Sequence, residues 1–311
     1  MIKSNPIKII HPVRCDNLDL IKTIENTAVE LMRLAVTRLP QDVKEALQRA
    51  YRREDSKIGR IVLKAILDNI ELAEKRKSPL CQDTGLIIFY AKAGSNFGLS
   101  NDISKALTNA VKRATVEIPL RSNIVDPISR KNTGDNTGIG IPHINWECVA
   151  GDFLELTVLP KGAGSENMSA LAMFKPTEGL NAIKKFVVDT VIHAGGKPCP
   201  PTIVGVGIGG SADISLALSK KALLRPINQP HREKKIAKLE QELLKAINAS
   251  GIGPMGLGGR NTSLGVNIEY EYCHLASLPV GVDIQCWCAR RATARIHKDG
   301  LVEMLTKKGD A

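Results

Sequence analysis

Aromatic residues make up only 4% of this 311-residue chain, and they are not interleaved with its basic groups. Single-strand nucleic-acid binders stack bases on rings set among cations, so this scarcity argues against nucleic acid as a partner. Long apolar runs are missing as well. Leu86 to Ala91 and Ile203 to Ile208 fall far short of the roughly 18 residues that cross a bilayer. The N-terminal stretch MIKSNPIKIIHPVRCDN has no continuous signal-peptide core. A soluble, cytoplasmic protein with no membrane association is expected. The seven cysteines, at 15, 81, 148, 199, 273, 286 and 288, are odd in number and lack the short regular spacing of a secreted disulfide scaffold, so reduced thiols are expected. No Ser/Pro linker, composition shift or internal repeat divides the chain, and a single domain over residues 1–311 is the simplest reading.

What is present is a chain 43% hydrophobic, enough for a sizeable core, with a net charge of +11. That charge suits nucleic acid, an acidic partner or an anionic substrate, and composition alone does not choose. The basic residues come in short groups: Arg52-Arg53, Lys75-Arg76-Lys77, Lys220-Lys221, Arg232 to Lys235 and Lys307-Lys308. Each reads as a solvated helix face.

From Ile21 the apolar residues Ile24, Ala28, Leu31 and Ala35 recur at helical steps up to Leu39-Pro40, and helices over 42–53 and 57–75 follow. Residues 1–78 thus form a mainly helical lead-in. Beyond Pro79, strands are expected at 86–91, 153–159, 203–208, 266–270 and 280–284, with helices at 102–117, 178–193, 212–224 and 232–248. The alternation predicts a mixed α/β domain. Arg121 to Gly140, containing RKNTGDNTG, is a long turn-rich loop of the kind that carries function.

Cys81 lies in PLCQDTG, Cys199 in KPCPPTIVGVGIGG and Cys286 in DIQCWCARR, each beside turn residues rather than inside an apolar face. Their spacing matches no zinc-finger or ferredoxin pattern, and on spacing alone they are ordinary buried thiols. Gly205 to Gly210 fit GxGxxG between a strand and a helix, but LLRPINQP stands where the acidic residue of a dinucleotide site belongs, so the glycines are expected to serve close packing.

Together PLCQDTG, KGAGSENMSALAMFKP, CPPTIVGVGIGGSAD and HLASLPVGVDIQCWCARRATARI resemble the N-terminal, cluster-binding part of class I fumarases and the related L-tartrate dehydratases, from about Met32 to Ile296. The resemblance implies a [4Fe-4S] cluster held by Cys81, Cys199 and Cys286, with one iron open to substrate. Cys288, two residues past Cys286, stays an alternative ligand, and Cys15, Cys148 and Cys273 are expected to be structural.

Gln82 and Asp83 follow the first ligand; Asp83 suits proton exchange, though it also suits a simple turn. The resemblance favours the active-site role. Arg121, in LRSNIVDP, matches a substrate-binding arginine, and a guanidinium fork fits a carboxylate. Gly162 and Gly164 of KGAGSEN would let backbone approach the ligand, Ala163 departing from the glycine-richer family segment. His274 matches a histidine near the active site, while Lys161 reads as a charge near the loop rather than a catalyst.

The implied activity is reversible hydration of fumarate to (S)-malate, with L-tartrate dehydration to oxaloacetate as the alternative. A non-catalytic metal-binding scaffold or a basic nucleic-acid binder is the reading from other classes. Single-chain class I fumarases continue into a C-terminal domain, so a separate β subunit, a hetero-oligomer and a small dicarboxylate substrate are expected.

Overall fold

The computed structural model describes residues 17–98 and 101–306. Cys15 and the Lys307-Lys308 pair lie outside them. The chain opens with helices α1 (Asn17–Thr37), α2 (Gln41–Arg53) and α3 (Lys57–Arg76), followed by strand β1 (Leu86–Gly94) and helix α4 (Asn101–Glu117). Then come β2 (His143–Val149), β3 (Phe153–Lys161), the single turn α5 (Ala163–Glu166), β4 (Ala170–Phe174) and α6 (Gly179–Ala194). β5 (Thr202–Gly210), α7 (Ala212–Ala222) and α8 (Lys234–Asn248) precede β6 (Ser263–Cys273), β7 (Leu278–Gln285), β8 (Ala292–His297) and β9 (Val302–Met304). The helical lead-in and the mixed α/β character are both as expected.

Two compact units are assembled from interleaved stretches, one from the residues up to Pro40, Lys77–Pro160 and Arg290 onward, the other from Gln41–Arg76 and Lys161–Ala289. In the first, the sheet order is β2-β1-β3-β8-β9, parallel where Ile88 meets His143 and antiparallel where Phe153 meets His297. The predicted stripe Ile24, Ala28, Leu31 and Ala35 of α1 is fully buried in the core that β1, β3, β8 and α4 complete. Helical spacing puts these four on one face, and burying that face is what stabilises the helix.

In the second unit the sheet order is β4-β7-β5-β6, with β5 parallel to β6 and antiparallel to β7. Val280, Val282 and Ile284 of β7 point to the core, so the pleat places Gly281, Asp283 and Gln285 on the opposite face. Helix α7 covers that face. A Cβ on Gly205 would lie 2.0 Å from the Ser219 carbonyl oxygen, and one on Gly207 only 1.9 Å from that of Ser215. The GxGxxG glycines therefore let a helix lie directly on its strand, the packing use expected of them.

Candidate active site

Leu80 N–H donates to the Val36 carbonyl at 2.8 Å, and Leu80 itself is buried, which fixes the start of the Cys81 segment. Cys81 and Asp83 are half-buried and Gln82 is exposed. Asp83 does form a turn, its Oδ1 accepting from Gly85 N–H at 3.0 Å, but the same oxygen also accepts from Asn123 Nδ2 at 3.3 Å. The Asp83 carbonyl accepts from Arg290 Nη1 at 2.8 Å, and Arg290 is almost wholly buried.

Arg121 is held by its backbone. Its N–H donates to Thr84 Oγ1 at 3.0 Å, and its carbonyl accepts from Asn136 Nδ2 at 3.1 Å. Asn136, buried and with φ of +60°, also donates to Thr115 Oγ1 at 3.1 Å and accepts from Asn123 N–H at 2.7 Å. Asparagine tolerates that left-handed backbone, and its amide offers two donors and an acceptor, which explains the residue type. The predicted loop is thus braced from within, leaving the Arg121 side chain exposed and without a protein partner among the described residues. Asp83 and Arg121 are brought together through Thr84, Asn123 and Asn136, none of which the sequence singled out. The signal available was an Asn-rich loop beside a turn threonine.

In the second unit Cys199 sits in the turn after α6, exposed, with φ of +54°. Its carbonyl accepts the backbone N–H of Trp287 at 3.1 Å. The β5–β7 register pairs Ile203 with Gln285, so Cys199, four residues before the first, and Cys286, directly after the second, lie at the same end of one sheet. Cys286 is half-buried and Cys288 is buried. Cys148 and Cys273 are exposed, the Cys273 thiol donating to the Ser277 carbonyl at 3.2 Å.

Gly162 starts the α5 turn with an ordinary extended backbone, while Gly164 is exposed and a Cβ on it would lie 3.3 Å from the Lys197 carbonyl oxygen, in the Cys199 turn. His274 lies in the exposed connection between β6 and β7, its Nδ1 accepting from Ala276 N–H at 3.1 Å. That bond assigns the proton of the neutral ring to Nε2.

Lys220 departs from its expected place, and both it and Lys161 face the same carboxylates. Lys161 is fully buried, donating to the Ile284 carbonyl at 2.9 Å and to Ser165 Oγ at 3.1 Å, and it pairs with Asp283 and Glu166. Lys220, read from sequence as part of a solvated face, pairs with the same two carboxylates. Desolvation is the largest influence on Asp283 and raises its carboxyl above the ordinary range, the Lys161 and Lys220 charges offsetting it only in part. Desolvation also pulls on Glu166, but there the same two lysines win and hold it below the ordinary range.

The family model described as fumarate hydratase (Fumerase) matches residues 25–295. The chain belongs to the fumarate hydratase family. A relative from Methanocaldococcus jannaschii, provisionally named L(+)-tartrate dehydratase subunit alpha, is 52% identical over 89% of this chain and 98% of its own. The L(+)-tartrate dehydratase subunit alpha of Escherichia coli strain UTI89 is 40% identical over 87% of this chain and 89% of its own, and that of strain K12 is 38% identical over the same spans. Membership in this family makes the chain a hydro-lyase component.

The residues present fit an iron–sulfur group. Thiolates are its usual ligands, and Cys199 and Cys286 share one sheet end while remaining reachable. Among the described residues, no three His, Cys, Asp or Glu side chains are gathered as ligands of a single ion. Cluster cysteines bind different irons, so that pattern is not the one a cluster requires. No helix among the described residues is long and apolar enough to cross a membrane.

Proposed function

We propose that the chain is the α subunit of an iron–sulfur hydro-lyase that interconverts fumarate and (S)-malate, with Cys81, Cys199 and Cys286 as the ligands of a [4Fe-4S] cluster. The observation that carries this reading is the shared sheet end of Cys199 and Cys286, backed by the Trp287–Cys199 backbone bond. When bound, such a cluster supplies a Lewis-acidic iron that makes a substrate hydroxyl a better leaving group.

The chain's own groups do the rest. Arg121 offers its fork to one substrate carboxylate, with Gln82 and the backbone of Gly162 and Gly164 supplying further contacts. Asp83 exchanges the proton of the departing or entering water, its carboxylate steadied by Asn123. His274, its Nδ1 occupied by the Ala276 N–H, leaves Nε2 as a second candidate for proton handling. Residues 1–311 act as one cluster-binding catalytic domain, and cytoplasmic location follows from the same reading. The relatives' designation as subunit alpha supports a β subunit that completes a hetero-oligomer.

The relatives' names also favour a second reading, dehydration of L-tartrate to oxaloacetate. Both reactions remove or add water on a four-carbon dicarboxylate. Anaerobic reconstitution with iron and sulfide, addition of the β subunit, and parallel assays on fumarate, (S)-malate and L-tartrate decide the matter. Turnover of fumarate with the higher kcat/KM supports the first reading, and turnover of L-tartrate alone replaces it with the second.

A further inference from the structure

A lysine buried to 1% exposure is expensive unless its charge is paired and its protons are used. Lys161 meets both conditions. Its aligned hydrogen bonds go to the Ile284 carbonyl at 2.9 Å and Ser165 Oγ at 3.1 Å. Its contacts with Asp283 Oδ1 at 3.1 Å and Glu166 Oε2 at 3.2 Å are ion pairs without hydrogen-bond alignment. Two of the three ammonium protons are thus committed to Ile284 and Ser165, and the third faces the two carboxylates. Lys220 adds a second cation against Glu166 and Asp283, so two lysines balance two carboxylates.

Three segments meet at this balance: the KGAGSEN turn through Ser165 and Glu166, the end of β7 through Asp283 and Ile284, and α7 through Lys220. Ile284 stands two residues before Cys286. Gly164 of the same turn lies against the Lys197 carbonyl, two residues before Cys199. Lys161 is the one member that also bonds backbone at the Cys286 end of β7.

We propose that Lys161 is a positioning residue: its buried ammonium locks the glycine turn to the strand end that presents Cys286, and so sets how that thiol is held and shielded. The inference rests on the reading of Cys286 as a cluster ligand, but the lock itself is testable without any cluster. Replacing Lys161 by Met removes the bonds to Ile284 and Ser165 that tie the turn to the strand and leaves Asp283 and Glu166 with Lys220 alone.

The test is differential alkylation of the metal-free chain by iodoacetamide, with each cysteine read by peptide mass spectrometry. In Lys161→Met, Cys286 is expected to label about 10-fold faster relative to exposed Cys148, while buried Cys288 stays protected; braces behind metal ligands commonly carry effects of that size. Unchanged Cys286 labelling overturns the proposal. So does equal acceleration at Cys288, which would signal loss of structure rather than of position. Should Lys161→Met fail to fold, Asp283→Asn, which keeps the shape and removes one charge, is expected to raise Cys286 labelling several-fold, and no rise overturns the proposal.

A second arm uses the reconstituted protein and measures iron release to a chelator, expected to be about 10-fold faster in Lys161→Met and less affected in Lys220→Met, since Lys220 is tied to the two carboxylates and not to Ile284. If the native chain takes up no iron, the proposed function fails while the alkylation result still decides the role of Lys161.

Discussion

The backbone N–H of Trp287 donates to the carbonyl oxygen of Cys199 at 3.1 Å, so the residue after one candidate ligand is tied to the other through the main chain. Cys199→Ser, at an exposed position, is therefore expected to change the stability of the metal-free chain by no more than about 0.5 kcal/mol, as surface substitutions usually do. Urea denaturation checks this, and a loss of several kcal/mol would mean the thiol packs rather than ligates.

Asp83 and Asn123 make an ordered pair of predictions. Asp83→Asn removes the proton-exchanging group and is expected to lower kcat about 100-fold or more, the usual contribution of general acid–base catalysis. Asn123→Ala leaves Asp83 with its bond to Gly85 N–H, so a smaller fall in kcat is expected, with KM little changed. Steady-state kinetics of the reconstituted enzyme separates the two, and an Asn123→Ala loss that equals that of Asp83→Asn would contradict the assignment.

Much of this was legible in the sequence where physics acts locally. The α1 stripe and the β-branched run at 86–91 gave their elements directly, because burial follows periodicity there. β2 was missed although HINWEC alternates polar and apolar residues, because the strand is mostly exposed and buries no face that the pattern would mark, and β4 because ALAMF is short. The burial of Lys161 was not legible because what surrounds it is carboxylates on other elements, one of them far away in sequence. Asn136 was invisible for a related reason. Its role depends on a left-handed backbone and on Thr115 and Arg121, which only the folded loop brings within reach.

Gly207→Ala tests the packing reading of the glycine motif. The new methyl would sit 1.9 Å from the Ser215 carbonyl oxygen, so α7 must shift, at a cost of about 1–3 kcal/mol or more. Chemical denaturation is expected to show that loss. Wild-type stability in the variant would contradict the close approach.

Glu54, at 2% exposure, accepts the backbone N–H of Ser56 and Arg260 and the side chain of Asn261, anchoring the glycine-rich loop that follows α8. Burial acts to raise its pKa, but these hydrogen bonds together outweigh it and hold the carboxyl below its ordinary value of 4.5. A depressed folded-state pKa adds stability that is fully present above the unfolded value and is lost as pH falls through the folded one. The melting-temperature gap between wild type and Glu54→Gln is thus expected to be constant near neutral pH and to narrow as pH drops below about 4.5. A gap that widens in acid would reverse the sign and contradict the anchor.

The most direct test of the central claim is the visible absorption and low-temperature EPR of the anaerobically reconstituted chain, compared with Cys81→Ser, Cys199→Ser, Cys286→Ser and Cys288→Ser. An iron–sulfur charge-transfer band is expected in the wild type and in Cys288→Ser, with its loss in each of the other three. A wild-type chain without the band, or a band that survives replacement of Cys81, Cys199 or Cys286, would contradict the claim.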